Sequence, residues 1–290
     1  MLDIKQSPIQ NNNLKPYLVA KDFMVSNKEF SILMDEVSGL LVTSPRPFLD
    51  VLGDYYKSDT YISHTDANKT LFDKVYQWVK KHTLNQKLKL INSFNTESKT
   101  VLDVGCGTGE FLKVCQDNAW QVSAVEPNAA ARTLAENKLA IKIPTDLAEI
   151  KNQQFDVITL WHVLEHVPNL NEYIKQLEKL LKPNGRLTVA VPNHESYDAQ
   201  YYQEFWAAYD VPRHLWHFSK KSIGLLFESV SMKVENIKPM KFDSFYVSLL
   251  SEKNKNGKSN PFRAFWIGLR SNVKAKSKMN YSSLIYVIKK

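Results

Sequence analysis

Four short apolar runs, set at regular distances, decide what this chain can fold into. Thr100–Val104, Gln121–Val125, Phe155–Leu160 and Arg186–Val191 are separated by stretches of helical length, Glu110–Ala119, Asn128–Lys138 and Leu170–Leu181. Strands that alternate with helices of about 10–15 residues build a parallel sheet, because parallel neighbours must be joined by a crossover. The spacing predicts an α/β fold, a mostly parallel sheet with helices on both faces. Ser219–Ser229 reads as one more helix, and Met232–Met240 and Ser282–Ile288 as further strands.

Within that frame, Val101-Leu-Asp-Val-Gly-Cys-Gly-Thr-Gly109-Glu-Phe-Leu112 is an apolar strand running into Gly105-x-Gly107-x-Gly109 and then into a helix. Glycine reaches φ > 0 and carries no Cβ, so a ligand can lie against this backbone. The carboxyl end of a strand in an open α/β sheet is where ligands bind. A dinucleotide fingerprint, G-x-G-x-x-G, would need its third glycine where Glu110 stands, and a carboxylate there repels a pyrophosphate. A nicotinamide dinucleotide is disfavoured on that ground. Glu126 ends the second apolar run, where an acid can accept hydrogen bonds from both hydroxyls of a ribose. A ribose without a diphosphate, beside the acids Asp103 and Glu110, points to a cationic nucleoside such as a sulfonium.

On these residues, the stretch from about Lys99 to Lys241 resembles class I S-adenosylmethionine-dependent methyltransferases, in particular the ubiquinone-biosynthesis O-methyltransferase-like group. Val101–Gly109 looks like that family's first motif, and Glu126 like its ribose-binding acid. Phe155-Asp-Val-Ile-Thr-Leu-Trp-His-Val-Leu-Glu-His-Val-Pro168 resembles its fourth-strand motif, and Leu181-Lys-Pro-Asn-Gly-Arg-Leu187 the turn before its fifth strand. The resemblance implies a Rossmann-like sheet of seven strands whose last, Ser282–Ile288, runs antiparallel. It also implies S-adenosylmethionine as cofactor and methyl transfer to a small or lipid-like organic acceptor, at oxygen. The cofactor site it implies comprises Asp103, Gly105, Cys106, Gly107, Glu126, Pro127 and Trp161, with Asp146 and Leu147 near the adenine. The alternative is a protein that keeps the sheet and the cofactor but transfers nothing, acting at a partner or membrane surface.

His162-Val-Leu-Glu165-His166 matches H-x-x-E-H, a zinc-ligand pattern when its members share one helix face. Its place straight after the fourth strand argues instead that Glu165 and His166 hold the strand-to-helix junction, while Trp161 and His162 line the cofactor pocket. No metal is expected. Methylation of a hydroxyl is helped by a base, and histidine serves near neutral pH. His214 is the first candidate and His162 the second. Tyr201, Tyr202, Trp206, Arg213 and His217 are the expected lining of the acceptor pocket. A packed amphipathic helix with a structural histidine pair is the competing account of the same residues.

The formal net charge is +8, yet Ser251–Lys290 alone carries ten basic residues against one acid, Glu252. A basic C-terminal segment on a nearly neutral body is not the pattern of a nucleic-acid binder. Around Pro261, helical spacing puts Phe262, Trp266, Leu269 and Val273 on one face and Arg263, Arg270 and Lys274 on another. Such apolar stripes ordinarily face the core, and this one is expected to pack on the body. Peripheral contact with an anionic membrane is its alternative use.

Residues 1–95 read as an N-terminal extension, mainly helical in its second half. There Leu71, Val75, Trp78 and Val79 recur at helical spacing between about Lys69 and Asn92. Residues 96–290 read as the methyltransferase domain, with a basic helical insert at about 244–280 before the last strand. Cys106 and Cys115 are the only cysteines, no apolar run approaches the ~20 residues of a membrane span, and no cleavable leader is visible. A reducing cytoplasm is the expected setting.

Overall fold

A computed structural model describes residues 1–56 and 71–290, and for 71–76 the backbone alone. The chain begins with β1 (Lys15–Lys21), β2 (Glu29–Met34) and β3 (Leu41–Thr43), the short α1 (Leu49–Leu52) and the long α2 (Leu71–Asn92). There follow β4 (Thr100–Val104), α3 (Glu110–Gln116), β5 (Gln121–Val125), α4 (Ala129–Leu139), β6 (Phe155–Trp161), α5 (Leu170–Leu180) and β7 (Leu181–Pro192). The last part holds α6 (Tyr197–Tyr202), β8 (Trp216–His217), α7 (Lys220–Glu228), β9 (Lys233–Pro239), α8 (Asp243–Asn256), α9 (Pro261–Lys278) and β10 (Ser283–Lys289). Lys69, the expected start of α2, and the side chains of Leu71 and Val75 lie outside the described residues.

The larger sheet has the order β5-β4-β6-β7-β10-β9. β5, β4, β6 and β7 are parallel, and β10 runs antiparallel to both of its neighbours, as expected for the last strand. Val101, Leu102, Val157, Ile158, Leu160, Leu187 and Val189 are completely buried. Strands covered on both faces have no reason to alternate polar with apolar residues, hence the continuous apolar runs of the sequence. The covering helices are held at their starts and along their stripes. Asn128 caps α4 by accepting from Ala131 N, and α5 buries Leu170, Ile174, Leu177 and Leu180 on one face. The chain leaves β4 on one side for β5 and returns on the other for β6, so the sheet reverses direction beside β4. Crevices that hold ligands open at such reversals.

One expectation is corrected. The sheet has six strands among the described residues, not seven. Beyond β5, Ala140 turns left-handed and the following residues offer one ladder-like bond, Glu126 N to Pro144 O at 3.1 Å. Pro144 has no N–H to give in return, and no edge strand forms. Of the N-terminal residues, the second half is helical, as α2, and the first half is strands. β1, β2 and β3 form a second sheet whose fourth member is β8, from far along the chain. Leu41 pairs with His217 and Val42 with Trp216, across the boundary expected at residue 95.

Under this small sheet, Phe30, Ile32 and Leu41 pack on Tyr202, Trp206, Tyr209 and Ile267. Asp198 ties the layer together from a fully buried position. Its carboxylate accepts from Trp206 Nε1 (2.9 Å), Ser271 Oγ (2.6 Å) and Ser282 Oγ (2.6 Å). Asp198→Ala leaves three buried donors without an acceptor and is expected to cost about 3 kcal/mol of unfolding free energy, measured by urea denaturation. A loss below about 1 kcal/mol contradicts this account of the layer.

Candidate active site

β4 delivers the chain into the glycine loop at the crevice. Gly105, Gly107 and Gly109 have φ of +70°, +55° and +76°, conformations that side chains strain to adopt. At Gly105 a Cβ would stand 2.6 Å from Val163 Cγ2, so space as well as φ requires glycine there. At Gly107 a Cβ would meet nothing within 4 Å, and the loop lies open on that side. Glu126 closes the frame from the tip of β5. Its carboxylate accepts from Gly107 N (2.8 Å) and from Asn128 N (2.9 Å), bracing loop and following helix against one another. Cys106 is buried in the loop, and burial pushes its thiol pKa upward.

The other residues expected at the cofactor arrange around this brace. Pro127 follows Glu126 and is exposed. Asp146 accepts from Ala148 N at 2.8 Å and so caps the short turn holding the buried Leu147. The bond from Glu126 N to Pro144 O draws this stretch towards the tip of β5. Trp161 ends β6, edge-on to Phe111 at 5.5 Å. A left-handed glycine loop open at Gly107, and a carboxylate fixed at the end of the second parallel strand, fit a nucleoside with a free ribose diol. Glu110, expected to favour a cation, is itself ion-paired with Lys138 and, at 3.5 Å, with Lys80.

Lys87, not foreseen in the sequence, and Asp103, expected at the cofactor, complete the centre. Lys87 of α2 reaches over the Trp161 ring, 4.1 Å from its centroid. Burial lowers its pKa to about 8, against the opposing pull of Asp103 and Asp243. Asp103 is buried at the end of β4 and accepts from Thr159 Oγ1 at 2.6 Å. Burial raises its pKa to about 7, although Thr159 and Lys87 pull it down. Lys87 had a signal: Leu84 and Ile91, three before it and four after, share its helical face and pack in the core, so this lysine occupies a core-facing position.

His162 does not stand free as a base. It has φ +58°, its Nε2 lies 3.2 Å from Asp243 Oδ2 and its Nδ1 3.3 Å from Glu165 Oε1. Burial works against its charge, but the carboxylates of Asp243 and Glu165 prevail and hold its pKa at about 10. Near neutral pH it is an imidazolium. His214 is buried behind it and binds Ala208 O through Nδ1 at 2.8 Å. Nor do the three members of the H-x-x-E-H pattern form one donor group, because His162 meets Glu165 and Asp243 and stands apart from His166. Instead, Glu165, His166 and His214 bring one donor atom each within 4.8 Å of one another, a set able to take a divalent cation.

The expected acceptor residues are placed elsewhere. Tyr202 OH donates to Glu252 (3.0 Å), Trp206 Nε1 to Asp198, and Arg213 to Asp210 and Asp22. His217 Nε2 meets Thr43 Oγ1 at 3.1 Å, and Tyr201 is edge-on to Tyr202. The polar atoms of Tyr202, Trp206, Arg213 and His217 are spent on internal partners, and none of the five residues lines the cavity beside Lys87. That cavity, of about 390 Å³, is bounded by His82, Lys87, Lys238, Met240, Phe242 and Asp243 among others.

Residues 48–235 match a family profile described as a methyltransferase domain. The chain belongs to this methyltransferase family. It is 31% identical over 113 residues to the ubiquinone biosynthesis O-methyltransferase of Rickettsia prowazekii (strain Madrid E), covering 36% of this chain and 45% of the relative. It is 34% identical over 122 residues to that of Coxiella burnetii (strain Dugway 5J108-111), covering 39% and 52%. The chain thus spans about half the length of the curated relatives it matches. Among solved structures, magnesium protoporphyrin IX methyltransferase from Synechocystis PCC 6803 with bound S-adenosylhomocysteine superposes with a TM-score of 0.55 at 15% identity, over 83% of this chain and 99% of that one. The likeness confirms the α/β fold.

The charge on His162 is directly observable. Its ring protons are expected not to titrate between pH 5 and 8 by NMR, and in Asp243→Asn its pKa is expected to fall. A wild-type midpoint near the ordinary histidine value of about 6.5 contradicts the assignment.

Proposed function

We propose that this methyltransferase moves the methyl group of S-adenosylmethionine to a hydroxyl oxygen of a small or lipid-like organic acceptor seated in the cavity beside Lys87. The position of Lys87 carries the proposal: one amine borders the cavity, covers Trp161 and faces Asp103 at the end of β4. The names of the curated relatives support oxygen as the acceptor atom. When bound, the cofactor supplies a methyl carbon already activated by its sulfonium.

The chain's own part is then to align the acceptor, exclude water and take a proton. Glu126 fixes the ribose, and the backbone around Gly107 leaves the nucleoside room to approach. Lys87, its ammonium destabilised by burial, accepts the hydroxyl proton as the oxygen attacks. The His162 imidazolium, held by Glu165 and by Asp243 of the cavity wall, offsets the negative charge that Asp243 would otherwise present to the developing phenolate or alkoxide. Lys238 and Lys241 at the cavity wall favour an acceptor with an acidic or electron-rich group. The cytoplasmic setting rests on two buried, unpaired cysteines.

Release of S-adenosylhomocysteine is to be followed with phenolic and catecholic acceptors, against matched amines. The rate is expected to rise with pH through about 8 as Lys87 loses its proton, and the hydroxyl acceptors are expected to be preferred. Lys87→Met is expected to lower kcat about 100-fold and to abolish that pH limb. A variant that keeps the wild-type pH profile contradicts the role given to Lys87.

A further inference from the structure

Helix α9 contradicts the rule that apolar stripes face the core. The face it buries is the small one, Ala264, Ile267, Gly268, Ser271 and Ala275. The approach is close: at Gly268 a Cβ would stand 2.8 Å from the Phe245 ring, and Ser244 Oγ donates to Gly268 O at 3.1 Å. Phe262, Phe265, Trp266, Leu269 and Val273, repeating at three- and four-residue intervals, are therefore turned to solvent at 75, 52, 53, 36 and 57% exposure. The helix begins at a rigid cap, with Pro261 in its first turn and Asn260 accepting from Arg263 N at 3.0 Å. Eighteen residues at 1.5 Å each make a rod about 27 Å long with an outward aromatic stripe.

The charges alongside say what covers that stripe. Arg263, Arg270, Lys274 and Lys278 run down one flank, and Lys276 lies next to the stripe. Glu252, the one acid from residue 251 onward, is buried against Tyr202 and lies 3.8 Å from Arg263 Nε, so it meets one cation of the flank from beneath. A second copy laid on the stripe would bring these cations together, whereas lipid phosphates would neutralise them. We propose that α9 lies in the headgroup layer of an anionic bilayer, its aromatic stripe inserted and its cations on the phosphates. No helix among the described residues is long and apolar enough to cross a membrane, so the contact is parallel to the surface.

The apolar rim leads to the cavity. Phe265 stacks on Phe245 at 5.5 Å, and Asn272 Nδ2 donates to the carbonyl of Lys241, a cavity residue, at 2.8 Å. Phe242, also at the cavity, meets the exposed Trp78 of α2 edge-on at 6.3 Å. A bilayer-resident acceptor can thus pass from lipid into the cavity along an apolar edge. This last step rests on the function proposed above, while the surface contact does not.

The test sediments the full chain with vesicles of phosphatidylcholine alone and with one third phosphatidylglycerol, at low and at high salt. Binding to the anionic vesicles is expected to exceed that to the neutral ones by at least about tenfold and to fall as salt is added. Phe262→Ser with Trp266→Ser is expected to reduce it about tenfold, without change in circular dichroism or in affinity for S-adenosylhomocysteine. Arg263→Gln with Lys276→Gln and Lys278→Gln is expected to remove the preference for anionic lipid. Absence of sedimentation with either vesicle, or equal binding to both, overturns the proposal. So does a wild-type dimer in sedimentation equilibrium that the Phe262 and Trp266 substitutions dissociate. Cofactor affinity is read separately, so failure here is distinct from failure of the methyl-transfer proposal.

Discussion

One carboxylate, that of Glu126, holds the functional end of this molecule in shape. By accepting from Gly107 N and Asn128 N it links the glycine loop after β4 to the start of α4 after β5. Two parallel strands end side by side with their following helices diverging, and nothing in the sheet ladder itself fixes the loops beyond them. A buried acceptor between two backbone donors supplies that constraint, since hydrogen bonds to a charged group are about twice as strong as neutral ones. Around it stand Asp103, Lys87 and Trp161, brought from β4, α2 and β6.

Beyond the brace, charge is arranged in pairs rather than spread. Asp103 and Asp243 both act on the charge of Lys87, His162 lies between Asp243 and Glu165, and Glu110 beside Lys80 and Lys138. Asp243, at the first turn of α8, belongs to two of these groupings. It therefore couples the helices after β9 to the centre, and the cavity wall and the site share one electrostatic anchor. The segment that contributes Asp243 is also the one on which α9 packs, through Phe245 and Gly268.

The parts legible in the sequence are those set by local chemistry. Thr100–Val104 and Gln121–Val125 form strands over the expected residues, because strands covered on both faces must be apolar throughout. The glycine loop was legible because only glycine takes those φ values without strain. The misplacements came from contacts distant in sequence. Pairing of β3 with β8 spans more than half of the chain and has no local signature, so Tyr202, Trp206, Arg213 and His217 resembled a pocket while serving as core. An indole N–H satisfied by a buried aspartate, as in Trp206 with Asp198, makes a core residue of one that composition reads as a ligand contact. The orientation of α9 was hidden for the opposite reason. Periodicity reports two faces but not which one the body takes, and Gly268 admits the body only on the small one.

The central claim is that the frame built on Glu126 is a nucleoside site, and calorimetric titration with S-adenosylhomocysteine tests it most directly. Wild type is expected to bind in the micromolar range. Glu126→Ala, shown to be folded by circular dichroism, is expected to bind at least about tenfold more weakly, a loss of about 1.4 kcal/mol. Absence of binding by folded wild type, or equal affinity in the two proteins, would contradict the account.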